Sequence, residues 1–248
     1  GLKYLGLWYN AFTGKIPSSI GLMKNLEHLY FDYNILSGTL PSELGQLSKI
    51  DLFDAEHNFL TGSIPSELGL LQSVRAISLN NNDLTGSIPS SIFGGESLIR
   101  VWLQYNSFTG SVPSEIGLMS AATESIQLQH NSFTSTIPSE LGKFSTAVDL
   151  WLGYNSFTGQ IPSEIGMMKS LVITDFRFNQ LTGTIPTELG LTKNNLFLLL
   201  DVNNLTGTLP SELGLMKNMT YLLTHRNDLT GTVPFNGPIC NLLYDHKL

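Results

Sequence analysis

The chain has 248 residues, 42% of them apolar and 13% charged. That composition excludes a disordered tail, the length is enough for a core without metal or disulfide staples, and the apolar runs are too short to span a bilayer. Thirteen basic against twenty acidic side chains leave a formal charge of −7, which repels nucleic acid and anionic lipid and favours a basic or neutral partner.

Read from Gly1 onward, the chain is one unit repeated. Pro17, Pro41, Pro65, Pro89, Pro113, Pro138, Pro162, Pro186, Pro210 and Pro234 recur every 24 residues, with one spacing of 25. Asn10, Asn34, Asn58, Asn82, Asn106, Asn131, Asn155, Asn179, Asn203 and Asn227 each stand seven residues before a proline. Ahead of each asparagine a short apolar–polar alternation, as in Leu29-Tyr30-Phe31 or Ile77-Ser78-Leu79, predicts a half-buried strand with its apolar side on the core. The asparagine ends that strand, and its amide can satisfy backbone groups that stacking would otherwise strand without water. Four residues later a glycine (Gly14, Gly38, Gly62, Gly86, Gly110, Gly159, Gly183, Gly207, Gly231) predicts a turn needing freedom in φ; Ser135 replaces it in the sixth repeat. Pro-Ser-Glu then has the composition of a helix start, which a further glycine is expected to stop. Glu43, Glu67, Glu115, Glu140, Glu164, Glu188 and Glu212 occupy this site, so about a third of the acidity has a scaffold role. The single extra residue falls within Met119–Thr123, where a surface loop ahead of the strand would absorb it.

The copy Leu26-x-x-Leu29-x-Phe31-x-x-Asn34-x-Leu36, with the second half Asn58-Phe59-Leu60-Thr61-Gly62-Ser63-Ile64-Pro65-Ser66-Glu67-Leu68-Gly69, resembles the plant-type leucine-rich repeat. Receptor-kinase ectodomains and polygalacturonase-inhibiting proteins carry this repeat, and the Ser-Glu-Leu-Gly copies look like the extracellular repeat proteins of algae such as diatoms. The resemblance covers essentially the whole chain. It implies an α/β solenoid: ten repeats over residues 1–234, the first partial, with a parallel concave sheet roughly 48 Å long and short 3-10 or helical turns on the convex side. Residues 235–248 are expected to begin a C-terminal cap in which Cys240 awaits a partner. Relatives of this type carry cysteine-paired caps on both sides, and the first repeat opens at Gly1 already inside its strand motif. A truncated chain with flanking domains in the native protein is therefore expected. The resemblance further implies an extracellular or cell-surface address and no cofactor.

If the repeating positions are scaffold, recognition sits where copies differ, at the outward strand positions four, two and one before each asparagine. One grouping on these rows is aromatic and acidic: Trp8, Tyr9, Tyr30 and Tyr33 beside Asp32, Asp54, Glu56 and His57. A second places Trp102 and Tyr105 two rungs from Trp151 and Tyr154, with Gln127, Gln129 and His130 between, the tryptophans roughly 10 Å apart. Asp175 and Arg177 follow in the next repeat. Planar rings around amides suit sugars or peptides, and aromatic residues on a rigid sheet commonly anchor protein interfaces. The expected function is recognition of a protein, peptide or glycan by the concave face. The competing reading makes the rings cross-strand ladders that merely stabilise the sheet, in a structural or assembly component. Leu199 and Leu223 on the same rows predict an apolar patch near the C-terminal end.

Asp54, Glu56 and His57 also raise a catalytic possibility, since paired carboxylates serve glycoside hydrolysis. An open strand surface is expected to leave them solvated, with nothing to split their pKa values and no nucleophile–base–orienter trio, so no enzyme activity is expected. The dispersed histidines suggest no metal set. Asn204-Leu205-Thr206 and Asn218-Met219-Thr220 are glycosylation sequons off the central strand. Thr13, Thr61, Thr85 and their counterparts form a hydroxyl row like that of ice-binding solenoids, but this threonine belongs to the ordinary repeat and discriminates nothing.

Overall fold

The computed structural model describes residues 1–234 and the strand Leu242–Leu243. Ten three-residue strands, from Tyr4–Gly6, His28–Tyr30 and Leu52–Asp54 through to Tyr221–Leu223, pair in parallel and in chain order, and Leu242–Leu243 adds an eleventh. The middle residue of each strand points inward: Leu29, Phe53, Ile77, Val101, Ile126, Leu150, Leu198 and Leu222 are all fully buried in one continuous core. The expected leucine-rich-repeat solenoid with its parallel concave sheet is what forms. The cap expected over residues 235–248 lies, apart from Leu242–Leu243, outside the described residues.

On the convex side each Pro-Ser-Glu segment forms a 3-10 turn, as at Ser42–Gln46 and Ser163–Met167. No α-helix occurs among the described residues, so of the 3-10 or helical turns expected on the convex side the 3-10 form is the one present. Five residues between two strands cannot repay α-helix nucleation, whereas the tighter ladder closes at once, with Leu44 N–H donating to the Pro41 carbonyl at 3.1 Å. The glycine of Ser-Glu-Leu-Gly does not stop the turn, as the sequence suggested, but lies inside it. Its role is close approach: a Cβ on Gly45 or Gly166 would overlap the carbonyl of Glu67 or Glu188 in the next repeat.

The Thr-Gly segments form lateral parallel sheets that the sequence reading missed, one of six strands and one of four. Their glycines all have φ between 72° and 87°. Ser135, in place of glycine, is held at φ 71°, and it lies where the lateral sheet is interrupted, the gap being crossed by the bridge Thr136–Thr158 and by the Ser156 N–H donating to the Phe133 carbonyl at 2.8 Å. The extra residue of this region is absorbed as expected. Ser120 N–H donates to the Leu98 carbonyl at 3.1 Å, the Thr123 hydroxyl closes a turn on the Ser120 carbonyl at 2.6 Å, and Ser125 keeps register with Arg100 and Asp149.

A left-handed serine costs about 1 kcal/mol relative to glycine in the same conformation. Ser135→Gly is therefore expected to raise the thermal unfolding midpoint by a few degrees. Calorimetry giving a lower midpoint would contradict this account of the turn.

Candidate functional site

The outward rows of the concave sheet are not uniform, because the chain does not stay extended up to the asparagine. The residue before each asparagine (Tyr9, Tyr33, His57, Asn81, Tyr105, His130, Tyr154, Phe178, Val202, Arg226) has φ of 49–55°. This left-handed turn swings the side chain sideways along the solenoid. The rings then stack face to face in two ladders. Tyr9–Tyr33–His57 has centroids 4.3 and 4.2 Å apart, and Tyr105–His130–Tyr154–Phe178 has spacings of 4.4, 4.1 and 4.3 Å. Asn81 separates the ladders. Arg177 adds its guanidinium over the Tyr154 ring at 5.5 Å. This row therefore forms cross-strand ladders in which most ring faces lie against neighbours.

The other two predicted rows remain on the sheet. Trp102 and Trp151 pair across Gln127, as the two-rung spacing requires. Trp102 Nε1 donates to Ser125 Oγ at 3.1 Å, Gln127 Nε2 donates to the same oxygen at 3.3 Å, and the Ser125 hydroxyl donates to Asp149 Oδ2 at 3.1 Å. Trp102, Ser125 and Asp149 border a 580 Å³ hollow that Arg100, Glu124 and Val148 also line. The row six residues before the asparagine, which supplies Tyr4, His28, Arg100, Ser125 and Asp149, was overlooked in the sequence. It alternates with the row at four and faces the same way, so strand periodicity could have found it.

Several predicted solvent-facing groups are buried instead. Asp32 is only 9% exposed and Asp175 1%, while Leu199, at 7%, is covered, so the apolar patch expected there is not open. Gly153 makes room for Asp175: a Cβ on the glycine would stand 2.6 Å from Asp175 Oδ1. Asp175 accepts from Arg177 through both its backbone N–H (3.1 Å) and its guanidinium (3.0 Å). One acceptor each of Asp32, Gln104, Gln129 and Asp201 is buried with no hydrogen-bond partner, all in the row two before the asparagine. Unpaired buried acceptors are costly, and a row of them offers places for a ligand's donors.

The carboxylates are consequently not the freely solvated groups that the sequence suggested. Burial lifts the Asp54 carboxyl to about 7; the Glu56 N–H and the Ser78 hydroxyl oppose this, and the Glu56 and Asp32 carboxylates reinforce it. Burial also raises Asp175 to about 6 against the pull of Arg177, and raises Asp32. Burial and then Arg177 lower His130. Glu56 accepts from Ser78 at 3.4 Å, beside Asp54. Asn204 and Asn218 are both exposed, the first on a lateral strand and the second before the strand Tyr221–Leu223.

A carboxyl whose folded pKa lies above its unfolded value favours folding when protonated, and that contribution is lost as pH rises from about 4 through about 7. Asp54→Asn is therefore expected to stabilise the protein by on the order of 2 kcal/mol at about pH 8, the gain vanishing towards pH 4. Chemical denaturation at both pH values checks this; a destabilised variant at pH 8 would contradict it.

The Leucine Rich Repeat family matches residues 1–23, 25–47, 73–94 and 123–144. No curated protein sequence matches the chain significantly. Among solved structures, the Arabidopsis receptor kinase HAESA, in complex with the peptide hormone IDA and the co-receptor SERK1, is 33% identical with a TM-score of 0.90; the match covers 94% of this chain and 39% of that one. The ectodomain of the Arabidopsis thaliana receptor kinase GASSHO1/SCHENGEN3, in complex with CASPARIAN STRIP INTEGRITY FACTOR 2, is 32% identical with a TM-score of 0.77, covering 94% and 30%. The chain thus spans less than half the length of either receptor. A plant ice-binding protein, 24% identical over 95% of this chain and 76% of that one at TM-score 0.77, shares the fold.

Proposed function

We propose that the chain is an extracellular recognition module that binds an extended peptide along its concave face. The observation that carries this is the row of buried oxygens without hydrogen-bond partners, one each on Asp32, Gln104, Gln129 and Asp201, the first three flanked by aromatic side chains on the neighbouring rows and Asp201 facing His225 through its other oxygen at 3.6 Å. An extended peptide supplies N–H donors at regular intervals, and about 14 residues would span roughly 48 Å of sheet. The formal charge of −7 and the carboxylates of Asp32, Asp54 and Glu56 favour a neutral or basic peptide. The peptide-hormone complex of the similar receptor kinase HAESA supports the same reading, and the likeness to the GASSHO1/SCHENGEN3 ectodomain supports the extracellular address. The elevated carboxyls stand on an open face beside aromatic rings, an arrangement suited to binding rather than to acid–base chemistry.

A structural or assembly role has its own supporting observation. Leu22, Leu70, Leu118, Met167, Leu191 and Leu215 stand exposed at the ends of their convex turns, in a row interrupted by Gln46 and Lys143, and a packed assembly would cover them. Glycans on the exposed Asn204 and Asn218 would leave the concave rows free.

Trp102 and Trp151 flank the middle of the face and separate the two readings. The double substitution Trp102→Ala/Trp151→Ala is expected to weaken capture of peptides selected from a random dodecapeptide library at least about tenfold, with the thermal midpoint as a control for folding. Undiminished capture by a folded double variant would overturn the concave-face reading.

A further inference from the structure

Beside the Tyr9–Tyr33–His57 ladder, the first two repeats carry a second group of rings that is not a column. Tyr4, Trp8 and Tyr30 contact one another at 5.4–5.9 Å, Trp8 meeting both tyrosines edge-on at 70–77° and the two tyrosines tilted at 42°. Rings that meet in this way enclose a space rather than stacking into a column; His28 lies beside both tyrosines, parallel to Tyr30 at 6.3 Å, and Trp8 is stacked on neither tyrosine. Trp8 is held there by Gly6, since a Cβ on Gly6 would overlap the indole ring. The tryptophan nevertheless stays 41% exposed.

These rings and Tyr9 border an open depression of 330 Å³ whose remaining lining is Asp32 and Asp54. Asp32 is more than nine-tenths buried, and its Oδ1 has no hydrogen-bond partner. Asp54 holds only the Glu56 N–H and the Ser78 hydroxyl against the cost of its burial. Two under-supplied carboxylates beneath aromatic faces are a poor arrangement for the free protein and a good one for a cation, which would pair with the carboxylates and lie against the ring faces.

We infer that this depression is a subsite for a basic side chain, guanidinium or ammonium, of a bound peptide. The inference rests on the peptide-recognition reading and names the residue type that anchors the ligand at the N-terminal end of the face. Binding is coupled to pH. Asp54 lies between Tyr30 and Asp32 of the preceding repeat and Ser78 of the next, with Glu56 two residues on in its own. Of these, the neighbouring carboxylates Glu56 and Asp32 disfavour its ionisation. A cation selects ionised Asp54, so affinity falls as pH drops through about 7.

The three tryptophans give a direct readout, because their indole N–H signals report separately on Trp8, Trp102 and Trp151 in a nitrogen-15 correlation spectrum of the intact chain. Titration with N-acetyl-arginine amide or N-acetyl-lysine amide is expected to move the Trp8 signal, whereas neutral N-acetyl-citrulline amide leaves it in place. Glycinamide, whose only cation is the α-ammonium, tests the alternative that the subsite takes a peptide N-terminus. Asp32→Asn should lower the arginine-probe affinity at least about tenfold, and moving from about pH 8 to about pH 5.5 should lower it by a similar factor. Gly6→Ala, which displaces Trp8, should abolish the response while Trp102 and Trp151 keep their shifts. An equal response to citrulline, a response to glycinamide alone, or no response to either basic probe would overturn the inference. If the basic probes fail while a library peptide still shifts Trp102 and Trp151, only the subsite is lost. If they succeed and no peptide is captured, the peptide reading fails and the cation site stands.

Discussion

At Asn58 one side-chain amide accepts from the Leu36 N–H at 2.9 Å and donates to the carbonyls of Phe31, Ala55 and Glu56 at 3.0–3.3 Å. Eight other asparagines, from Asn34 to Asn227, repeat the arrangement, each reaching back to two backbone groups of the preceding repeat. Asn10, at the start of the series, bonds only to the carbonyls of Leu7 and Trp8 in its own repeat. Every repeat must turn its chain inward at this point, where strand pairing stops and no water follows. The amide replaces the lost backbone partners and at the same time fastens one repeat to the next. Stability in such an array is a sum of neighbour interfaces, so this polar contact fixes the stacking register as firmly as the leucines do.

The rest of the face follows from that turn. To aim the asparagine inward the chain takes a left-handed residue just before it, and the side chain there is thrown along the solenoid axis onto its counterpart in the next repeat. Aromatic residues at this position therefore stack, and their area stabilises the sheet. The proposed recognition falls to the flat strand positions beside them. There, side chains on neighbouring strands stand near enough to bury one another, which explains why Asp32 and Asp175 lose water without entering the core. Carboxyls kept at raised pKa values, and acceptors left without donors, cost the free protein stability, a cost that a bound partner would remove.

The repeat, its strand and its turn glycine were legible because each rests on a local demand with a fixed period: alternation for the strand, an amide at the bend, φ freedom at the lateral turn. The extra residue in Met119–Thr123 was placed correctly for the same reason. What was not legible depends on neighbours 24 residues away. Nothing in the propensities of Tyr33, His57 or Phe178 announces a left-handed backbone, since the asparagine after each of them imposes it. The Ser-Glu-Leu-Gly glycine read as a stop because contact with the next repeat's glutamate carbonyl is invisible in one copy. The burial of Asp175 needs Gly153, and the place of Trp8 needs Gly6. The candidate residues were thus found as a face, while their division into stacked ladder, hydrogen-bonded hollow and ring-lined depression came only from the structure.

Hydroxyl-radical footprinting of the intact chain, with and without a peptide selected from a random dodecapeptide library, tests the account most directly. Oxidation of Trp8, Tyr30, Trp102 and Trp151 should fall in the complex, while Met167, 59% exposed on the convex side, is oxidised as before. Protection of Met167 and the convex leucines with unchanged oxidation of the concave tryptophans would contradict it and assign the contacts to the outer side of the solenoid.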